Sequence, residues 1–446
     1  MRIAIDEQLS KQHILEISEN RVEPSWLRQS RLAALEKFEQ MEWPTGKEEN
    51  WRHSSVRVFT NNLRFPVFSQ NVRLLETLPE LPLLQNEKLK AATEKSGRVY
   101  MNAEGQIFSA LPENLQKKGV IITGMPVAVR EFPAYVEEFF RKASPIQSES
   151  RFEALHRASW NTGFFIFIPE SVALDEPIYL FSETSENEEE GFFPHNLIIL
   201  EHNAAARIIE VYFSPNDHSA AFVNGFSEIH VGKSARLDLG TVVNWNDQVV
   251  HYHSSLLTLQ RNAHVNWITA LLGGKNVLFN LESRLTGPNS AVNMHGFYFG
   301  SGSEHFHLNT YQNHQTVQSK SDLLYKGVLK DQATSVYRGI IRVEQGAQRT
   351  DAYQANRNLL LSSEAHVHSI PVLEIEANDV RCTHGATIGQ VDADQVFYLQ
   401  SRGLPRIQAE KLIVDGFLNE IVKQLPDAGE EIQDLVHARI NHKYFG

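Results

Sequence analysis

The sequence has little cysteine, no cluster of basic residues and no long apolar run. Cys382 is the single cysteine among 446 residues, which excludes an internal disulfide and any zinc or cluster site built only from this chain's thiolates. Lysine and arginine number 42 against 54 acidic residues, so the net charge is −12. Nucleic acid is therefore not expected as a partner, because binding phosphates requires clustered basic side chains.

Segments that would direct the chain to a membrane or an organelle are also missing. The most apolar stretch, residues 163–169, is far shorter than the roughly 20 residues of a membrane-spanning helix. The N-terminal part is rich in acidic side chains, whereas transit peptides are poor in them. We therefore expect a soluble protein of a reducing compartment, most simply the cytoplasm, with no membrane partner.

A strand-rich region with an internal repeat begins near residue 155. A turn residue, a small residue and an alternating apolar run recur, and Ala235, Ala263 and Ala291 are 28 residues apart, with Ala205 another 30 residues earlier. A repeat of short strands without a helix buries its faces by stacking on its neighbours, so a parallel β-helix fits this period best. A double-sheet jelly roll or sandwich stays as the alternative, because the spacing from Ala291 to Ala333 is 42.

Helical patterns flank this region on both sides. Apolar side chains in residues 24–41 follow the three- and four-residue spacing of an amphipathic helix. Near the end, Pro405 occupies a typical first helical position, residues 413–422 carry a wide apolar stripe, and a second helix is predicted from Glu430. The sequence thus predicts a mainly β protein with a right-handed parallel β-helix core. The predicted regions are a mostly helical N-terminal region at 1–150, the core at 151–396 and a C-terminal helical segment at 397–446.

Two short motifs approach nucleotide-binding loops without completing them. Residues 232–234 read Gly-Lys-Ser, but Ser227 stands where a phosphate-binding loop has its first glycine. Residues 300–302 read Gly-Ser-Gly, and His305 occupies the position of the third glycine of a dinucleotide fingerprint. We expect turns at both places, and no nucleotide site.

Histidines are numerous, and three pairs stand two residues apart. Residues so spaced share one face of a strand, so each pair could chelate a metal ion, as in a metal-dependent oxygenase. No glutamate follows at the spacing that a cupin-type oxygenase uses, and we expect these pairs to line a solvated sheet face. The pairs are His251 and His253, His305 and His307, and His366 and His368.

Cys382 and His384 alternate with Arg381 and Thr383 in a predicted strand. The thiol and the imidazole would then share one face, roughly 7 Å apart along the chain. Thiolate and imidazole are both ligands for iron or zinc, and the thiolate is also a nucleophile. Val380 shares their face, which favours the alternative that Cys382 is an ordinary core residue. With only two ligands, any metal site here would need groups from elsewhere.

These residues also carry a resemblance to a known family. Residues 357–362, 371–375, 379–389 and 397–403 resemble the C-terminal signature of the SufB/SufD family of iron–sulfur cluster assembly proteins. The similarity in pattern extends over about residues 150–425. The single cysteine and the helical N-terminal part are similar to the SufD branch, because the SufB branch carries additional cysteines.

The resemblance implies a fold, partners and a site. It implies a β-helix that pairs with a SufB-like paralogue, or with itself when isolated, and a SufC-like ABC ATPase docked on the C-terminal helices. It implies a non-catalytic scaffold subunit that supports iron acquisition and nascent cluster assembly at the partner interface. His384, and with it Cys382, would contact a transient iron–sulfur cluster or iron there, with no cofactor held stably by the isolated chain.

A carbohydrate-active β-helix enzyme is the alternative function. Such an enzyme needs paired acids on one face of the solenoid. Asp392 and Asp394 have the required parity, although their position at the end of the strand region also suits a turn that caps a helix.

Overall fold

A computed structural model describes residues 9–65, 72–142, 146, 149–186, 191–425 and 430–445. The first and last elements of the described residues are helices, and between the helical segments two long sheets of mostly parallel strands face each other. In the described ranges, no helix is both long and apolar enough to cross a membrane.

The N-terminal region is built from short helices and short strands. The helix predicted at residues 24–41 is present and buries Leu27, Leu35 and Phe38. The helices are α1 (Lys11–Asn20), α2 (Ser25–Gln40), α3 (Val56–Asn61), α4 (Glu87–Lys95), α5 (Glu113–Lys117), α6 (Met125–Glu131), α7 (Pro133–Lys142) and α8 (Arg151–Ser159), with 3-10 turns at Glu49–Trp51 and Pro82–Gln85. The strands are β1 (Arg73–Leu74), β2 (Arg98–Asn102), β3 (Gln106–Ala110) and β4 (Ile121–Gly124).

The core is a coil in which successive strands alternate between the two sheets. Its strands are β5 (Phe164–Ile168), β6 (Ile178–Glu183), β7 (Gly191–Phe192), β8 (His195–Leu200), β9 (Ala205–Phe213), β10 (Phe222–Val231), β11 (Arg236–Asn244), β12 (Val250–Leu259), β13 (His264–Leu271), β14 (Asn276–Leu285), β15 (Ala291–Gly300), β16 (His305–His314), β17 (Lys320–Leu329), β18 (Thr334–Val343), β19 (Asp351–Leu360), β20 (His366–Ile375) and β21 (Arg381–Gln390). Sheet A has the order β1-β3-β2-β6-β9-β11-β13-β15-β17-β19-β21, and sheet B the order β20-β18-β16-β14-β12-β10-β8-β5-β4. The predicted parallel β-helix is therefore confirmed, and the sandwich alternative is wrong.

The register explains why the sequence period is imperfect. Strand pairing makes Ala235 and Ala263 equivalent, as the period predicts, but their counterpart in the next coil is Ser290 and not Ala291. Ala333 precedes β18 in sheet B. The irregular spacing of 42 residues therefore runs from the first residue of a strand in sheet A to the residue before a strand in sheet B.

The turns between coils use residues that tolerate a left-handed backbone. Asn203, Ser234, Asn262 and Asn289 have φ values of 56° to 59°, a region that asparagine enters more readily than most residues. The backbone N–H of Asn203 donates to the carbonyl of Lys233 in the next coil at 2.8 Å. Both near-miss nucleotide motifs, 232–234 and 300–302, contain turns, as predicted.

The C-terminal helices pack on the outer face of sheet A. They are α9 (Ala393–Ser401), α10 (Arg406–Val422) and α11 (Glu430–Phe445). Pro405 is the N-cap of α10 and not its first residue. The apolar stripe is buried at Val414, Leu418 and Ile421, which lie in one cluster with Ile268 of sheet A.

Polar contacts tie the same helices to the coil. The Lys326 ammonium donates to the Glu420 carboxylate at 2.6 Å and to the backbone carbonyl of Phe417 at 2.7 Å. One helix further on, the buried Lys443 ammonium lies 2.7 Å from an oxygen of Glu304. Because a buried ammonium is stable only when its hydrogen bonds are satisfied, these contacts set where α10 and α11 sit along the sheet.

Candidate functional site

The coil ends in two strand edges that are open in the described part of the chain. β20 is the edge strand of sheet B and pairs only with β18, and β21 is the edge strand of sheet A and pairs only with β19 among the described strands. Each strand spans 10 residues, so a row of backbone N–H and C=O groups faces outward from each sheet. Such an edge is a template for pairing with another chain.

His384 lies on β21, at this open end. It is aligned with Gln354 of β19, whose side chain crosses the coil to donate to the Gly339 carbonyl of sheet B at 3.1 Å. His384 therefore lies on the inner face of its sheet, where the coil stops. Its side chain is exposed, and none of the described residues forms a hydrogen bond with its ring. The imidazole is available to a group outside this chain.

Cys382 shares that inner face and is half-buried. Its side chain packs with Leu373 and Val380 on a small cluster that includes Ile341 and Ala352. Burial, and secondly the nearby Asp351 carboxylate, raise the pKa of the Cys382 thiol. The thiol is therefore protonated at neutral pH, and the packing agrees with the interpretation based on Val380.

The first histidine pair lies inside the coil and not on a solvated face. His251 accepts the indole N–H of Trp245 at 2.9 Å, and His253 contacts the Ser227 hydroxyl at 3.1 Å. Gly225 makes room for the second ring, because a Cβ there would lie 2.3 Å from the His253 Nδ1. Burial lowers the pKa of His253 to about 3. The prediction of a solvated face is wrong for this pair.

The second and third pairs lie on the outer face of sheet B. His307 is buried and His305 is partly buried under an N-terminal segment, so the solvated-face prediction is wrong for them too. His366 and His368 on β20 are exposed, as predicted. The His368 ring stacks on His53, with the ring centroids 4.2 Å apart. Among the described residues, no three His, Cys, Asp or Glu side chains are arranged to hold a metal ion.

The paired acids Asp392 and Asp394 belong to a helix cap. The Asp392 carboxylate accepts the backbone N–H of Asp394 at 2.8 Å and that of Gln395 at 3.4 Å. This confirms the capping interpretation of the pair. A carboxylate committed to a cap does not supply the acid or base of a glycosidase, so the carbohydrate alternative loses Asp392 and with it the pair of acids that it needs.

Large apolar side chains are exposed on α9 and α10. Phe397 is 72% exposed and Tyr398 56%, while Ile407 is 46% and Leu412 52% exposed. We call these four side chains the helix patch. A cavity of about 380 Å³ between the end of β21 and these helices is lined by residues that include Gln390, Val396 and Glu410. The apolar periodicity of α10 does not reveal this patch in the sequence. The sequence signal is the pair of adjacent aromatic residues Phe397 and Tyr398, because neighbouring residues point about 100° apart around a helix and do not both face one core.

Comparisons with known proteins agree on one family. A family model described as "SUF system FeS cluster assembly, SufBD core domain" matches residues 181–417, and one described as "SufBD protein N-terminal region" matches residues 8–180. The iron–sulfur cluster assembly protein SufD of Bacillus subtilis (strain 168) is 30% identical over 433 residues, covering 95% of this chain and 96% of that protein. An iron–sulfur cluster assembly SufBD family protein of Staphylococcus epidermidis is 25% identical over 424 residues, covering 94% and 90%.

Proposed function

The chain belongs to the SufBD family of iron–sulfur cluster assembly proteins, and we propose that it is a scaffold subunit that pairs with a SufB-like paralogue and docks a SufC-like ABC ATPase. The proposal places this assembly in the cytoplasm, where ATP for the partner is available. The observation that carries it is the open end of the coil, where two unpaired strand edges lie beside an exposed imidazole.

Pairing through the open end would satisfy groups that this chain leaves exposed. A partner strand added to β20 or β21 accepts and donates the outward backbone hydrogen bonds, which is the usual mode of β-strand addition. Ile375 is 41% and Ile388 49% exposed on these two strands, and a partner would remove both from water. In the isolated chain, a second copy would offer the same edges, so a homodimer is expected when the paralogue is absent.

His384 would face the paralogue across this seam. A neutral imidazole is a suitable ligand for iron, and it could join a cysteine thiolate supplied by the paralogue in holding iron or a nascent cluster. The cluster is here a substrate in transit, and the isolated chain would hold no cofactor stably. Cys382 is a weaker candidate because its thiol is protonated at neutral pH.

The chain itself would be non-catalytic, with ATP hydrolysis carried out by the docked subunit. The helix patch is the proposed docking surface, since Phe397 and Tyr398 are large, exposed and adjacent. Movement of α10 would reach the seam through Lys326, which binds α10 from β17, because β17 pairs with β19 and β19 with β21. ATPase closure would thereby shift the seam and expose His384 to iron or sulfide.

Replacing Phe397 and Tyr398 together with serine is expected to weaken ATPase binding by at least about 30-fold, because exposed aromatic anchors commonly contribute about 2 kcal/mol to an interface. Both side chains are exposed in this chain, so its fold should survive. Isothermal titration with the SufC-like ATPase measures the effect. Leu74→Ser is the matched control, since Leu74 is 59% exposed but lies in the N-terminal region. Equal affinity of the double variant and the control would contradict the docking surface.

Cys382→Ser is expected to leave cluster formation by the assembled complex within about twofold of the wild type, while lowering the free energy of unfolding by about 1 kcal/mol. The reason is that Cys382 acts as a half-buried apolar side chain next to Leu373 and Val380. Cys382→Ala is the companion variant, because it keeps an apolar side chain. Stability unchanged in both variants, together with loss of cluster output, would instead make the thiol a ligand.

Co-expression with the paralogue and the ATPase tests the proposal as a whole. Affinity purification through this chain should recover both partners, and ATP hydrolysis should follow the ATPase and not this chain. Recovery of neither partner, with cleavage of a polysaccharide by the isolated chain, would revive the carbohydrate alternative.

A further inference from the structure

An N-terminal segment crosses the outer face of sheet B and meets a cluster of histidines there. The Ser54 hydroxyl lies 2.8 Å from His305 Nε2 and 2.6 Å from His307 Nδ1. One residue earlier, His53 stacks on His368 of the edge strand β20, with the rings inclined by 15°. We call these five residues the histidine clasp. The Ser54 contacts join residues that are about 250 positions apart in the chain.

The hydrogen bonds of the clasp form a complete chain when both rings are neutral. Asn309 donates its amide to Asn280 at 2.9 Å, so its carbonyl oxygen must accept from His307 Nε2, 3.2 Å away. In the neutral ring, His307 Nδ1 is then an acceptor for the Ser54 hydroxyl proton. The Ser54 oxygen in turn accepts from His305 Nε2, which leaves the second nitrogen of that ring as an acceptor.

The remaining nitrogen, His305 Nδ1, accepts from the Thr334 hydroxyl at 2.7 Å. The chain of donors and acceptors is therefore complete with one proton on each imidazole. With a second proton on both rings, His305 Nε2 and His307 Nδ1 both donate to the Ser54 oxygen, and the Ser54 hydroxyl loses the partner for its own proton. Protonation and the observed contacts are thus in competition.

The charged groups around the clasp do not favour added protons. The segment contributes Glu49, Arg52 and His53, β18 contributes Arg338, and β20 contributes His366 and His368. Glu49 is committed to Arg338 at 3.0 Å. On β14, the Glu282 carboxylate pairs with Arg284 at 2.6 Å. The groups left over are imidazoles and a guanidinium, which repel a further positive charge.

We propose that the histidine clasp is a proton-sensitive latch, which ties the N-terminal segment to β16 and to the edge strand β20 at neutral pH and releases it on acidification. The flanks of the segment stay anchored, because Trp51 and Phe59 are buried in the hydrophobic cluster beneath. Release is therefore a local opening around residues 52–55 that frees Ser54, His305 and His307 to water. The opening would also loosen β20, one of the two strand edges that the paralogue pairs with, a consequence that rests on the proposed function.

The size of the effect follows from the two buried rings. Burial lowers the pKa of His305 to about 4 and that of His307 to about 3, whereas both rings would titrate at about 6.5 once exposed. The open form then binds protons that the closed form excludes. The opening constant should rise about tenfold for each ring, and about 100-fold for both, between pH 7.5 and pH 5.5.

Hydrogen exchange of the isolated full-length chain at pH 7.5 and 5.5 tests the latch. After correction for the intrinsic rate, the amide of Ser54, which donates to the Trp51 carbonyl at 3.1 Å, should show an opening constant about 100-fold larger at pH 5.5. In a variant with His305→Gln and His307→Gln, which keep an amide donor and acceptor but do not titrate, this increase should disappear. His218→Gln, at an exposed position away from the clasp, should behave as the wild type.

Ser54→Ala provides a second route if the double variant fails to fold. Removing the hydroxyl shared by both rings should give a large opening constant already at pH 7.5 and a flatter pH dependence. An opening constant that does not change with pH in the wild type, or an undiminished pH dependence in these variants, would overturn the latch. Since the exchange is measured without a partner, that failure would leave the proposed pairing with the paralogue intact.

Discussion

His384→Ala is expected to leave the complex with the SufB-like paralogue and the ATPase assembled, yet to slow cluster formation at least about 10-fold, the usual loss when a group at a metal site is removed. The side chain is exposed and forms no hydrogen bond within the described residues, so its removal should not change the stability of this chain. It would instead remove the imidazole that faces the seam. Anaerobic reconstitution with iron and sulfide, followed by absorbance and bound sulfide, measures the rate.

Thr383→Ala is the matched control for His384. It lies one residue away on the same edge strand and is also exposed, but on the opposite face of the sheet. Its cluster formation should equal that of the wild type, and size-exclusion chromatography should show intact complexes for both variants. Wild-type cluster output from the His384 variant would contradict the assignment of this imidazole.

Acidification is expected to destabilise the chain strongly between pH 7.5 and pH 5.5. Burial lowers the pKa of eight histidines in the described residues. One of them, His368, is exposed, and the other seven have a pKa of about 4 or about 3 where a value is resolved. They are His156, His195, His251, His253, His305, His307 and His314. The unfolded chain binds protons at these rings below about pH 6.5 and the folded chain does not. Each ring therefore lowers the free energy of unfolding by about 1.4 kcal/mol for every pH unit below about 6.5.

Buried carboxyls act in the opposite direction but are fewer. Burial raises the pKa of Glu210 to about 7 and also raises that of Glu153. The folded chain keeps these protons at a pH where the unfolded chain has lost them, so they add stability as the pH falls towards about 4.5. After this offset, the expected net loss from pH 7.5 to 5.5 is on the order of 5 kcal/mol.

Urea unfolding at the two pH values measures this loss as a lower midpoint at pH 5.5. His314→Gln should shrink the shift, because it removes one buried ring that contacts the Ser319 and Ser321 hydroxyls inside the coil. His218→Gln is an exposed control and should not change it. A midpoint that is equal or higher at pH 5.5 would show that the buried imidazoles do not govern acid stability.

The architecture was predictable because local sequence features, the turn residues and the alternation of apolar side chains, determine it. Turn residues such as Asn203 and Asn262 accept a left-handed backbone, and apolar alternation follows them at a nearly constant interval. The assignment of turns to one sheet or the other was not predictable, since Ala291 and Ala333 look alike in sequence but lie at the starts of strands in different sheets. Only the hydrogen-bonded register separates them.

The candidate site was predictable in part, for a related reason. Alternation in β21 correctly puts Cys382 and His384 on one face, and Val380 correctly indicates the packing of the thiol. The burial of His251 and His253 was not predictable from the sequence pattern, because two histidines spaced two residues apart share one face of a strand whether that face points into the coil or out of it. The contact of Ser54 with His305 escaped it as well, since contacts over such a separation leave no local signal.

Hydrogen exchange of this chain with and without the SufB-like paralogue tests the central claim most directly. The claim predicts that the amides of residues 366–375 and 381–390, the two open edges of the coil, become strongly protected when the paralogue is added. Strands in the middle of the coil, such as β12, should not change. A stable complex in which these edge amides exchange as fast as in the free chain would contradict pairing through the open end.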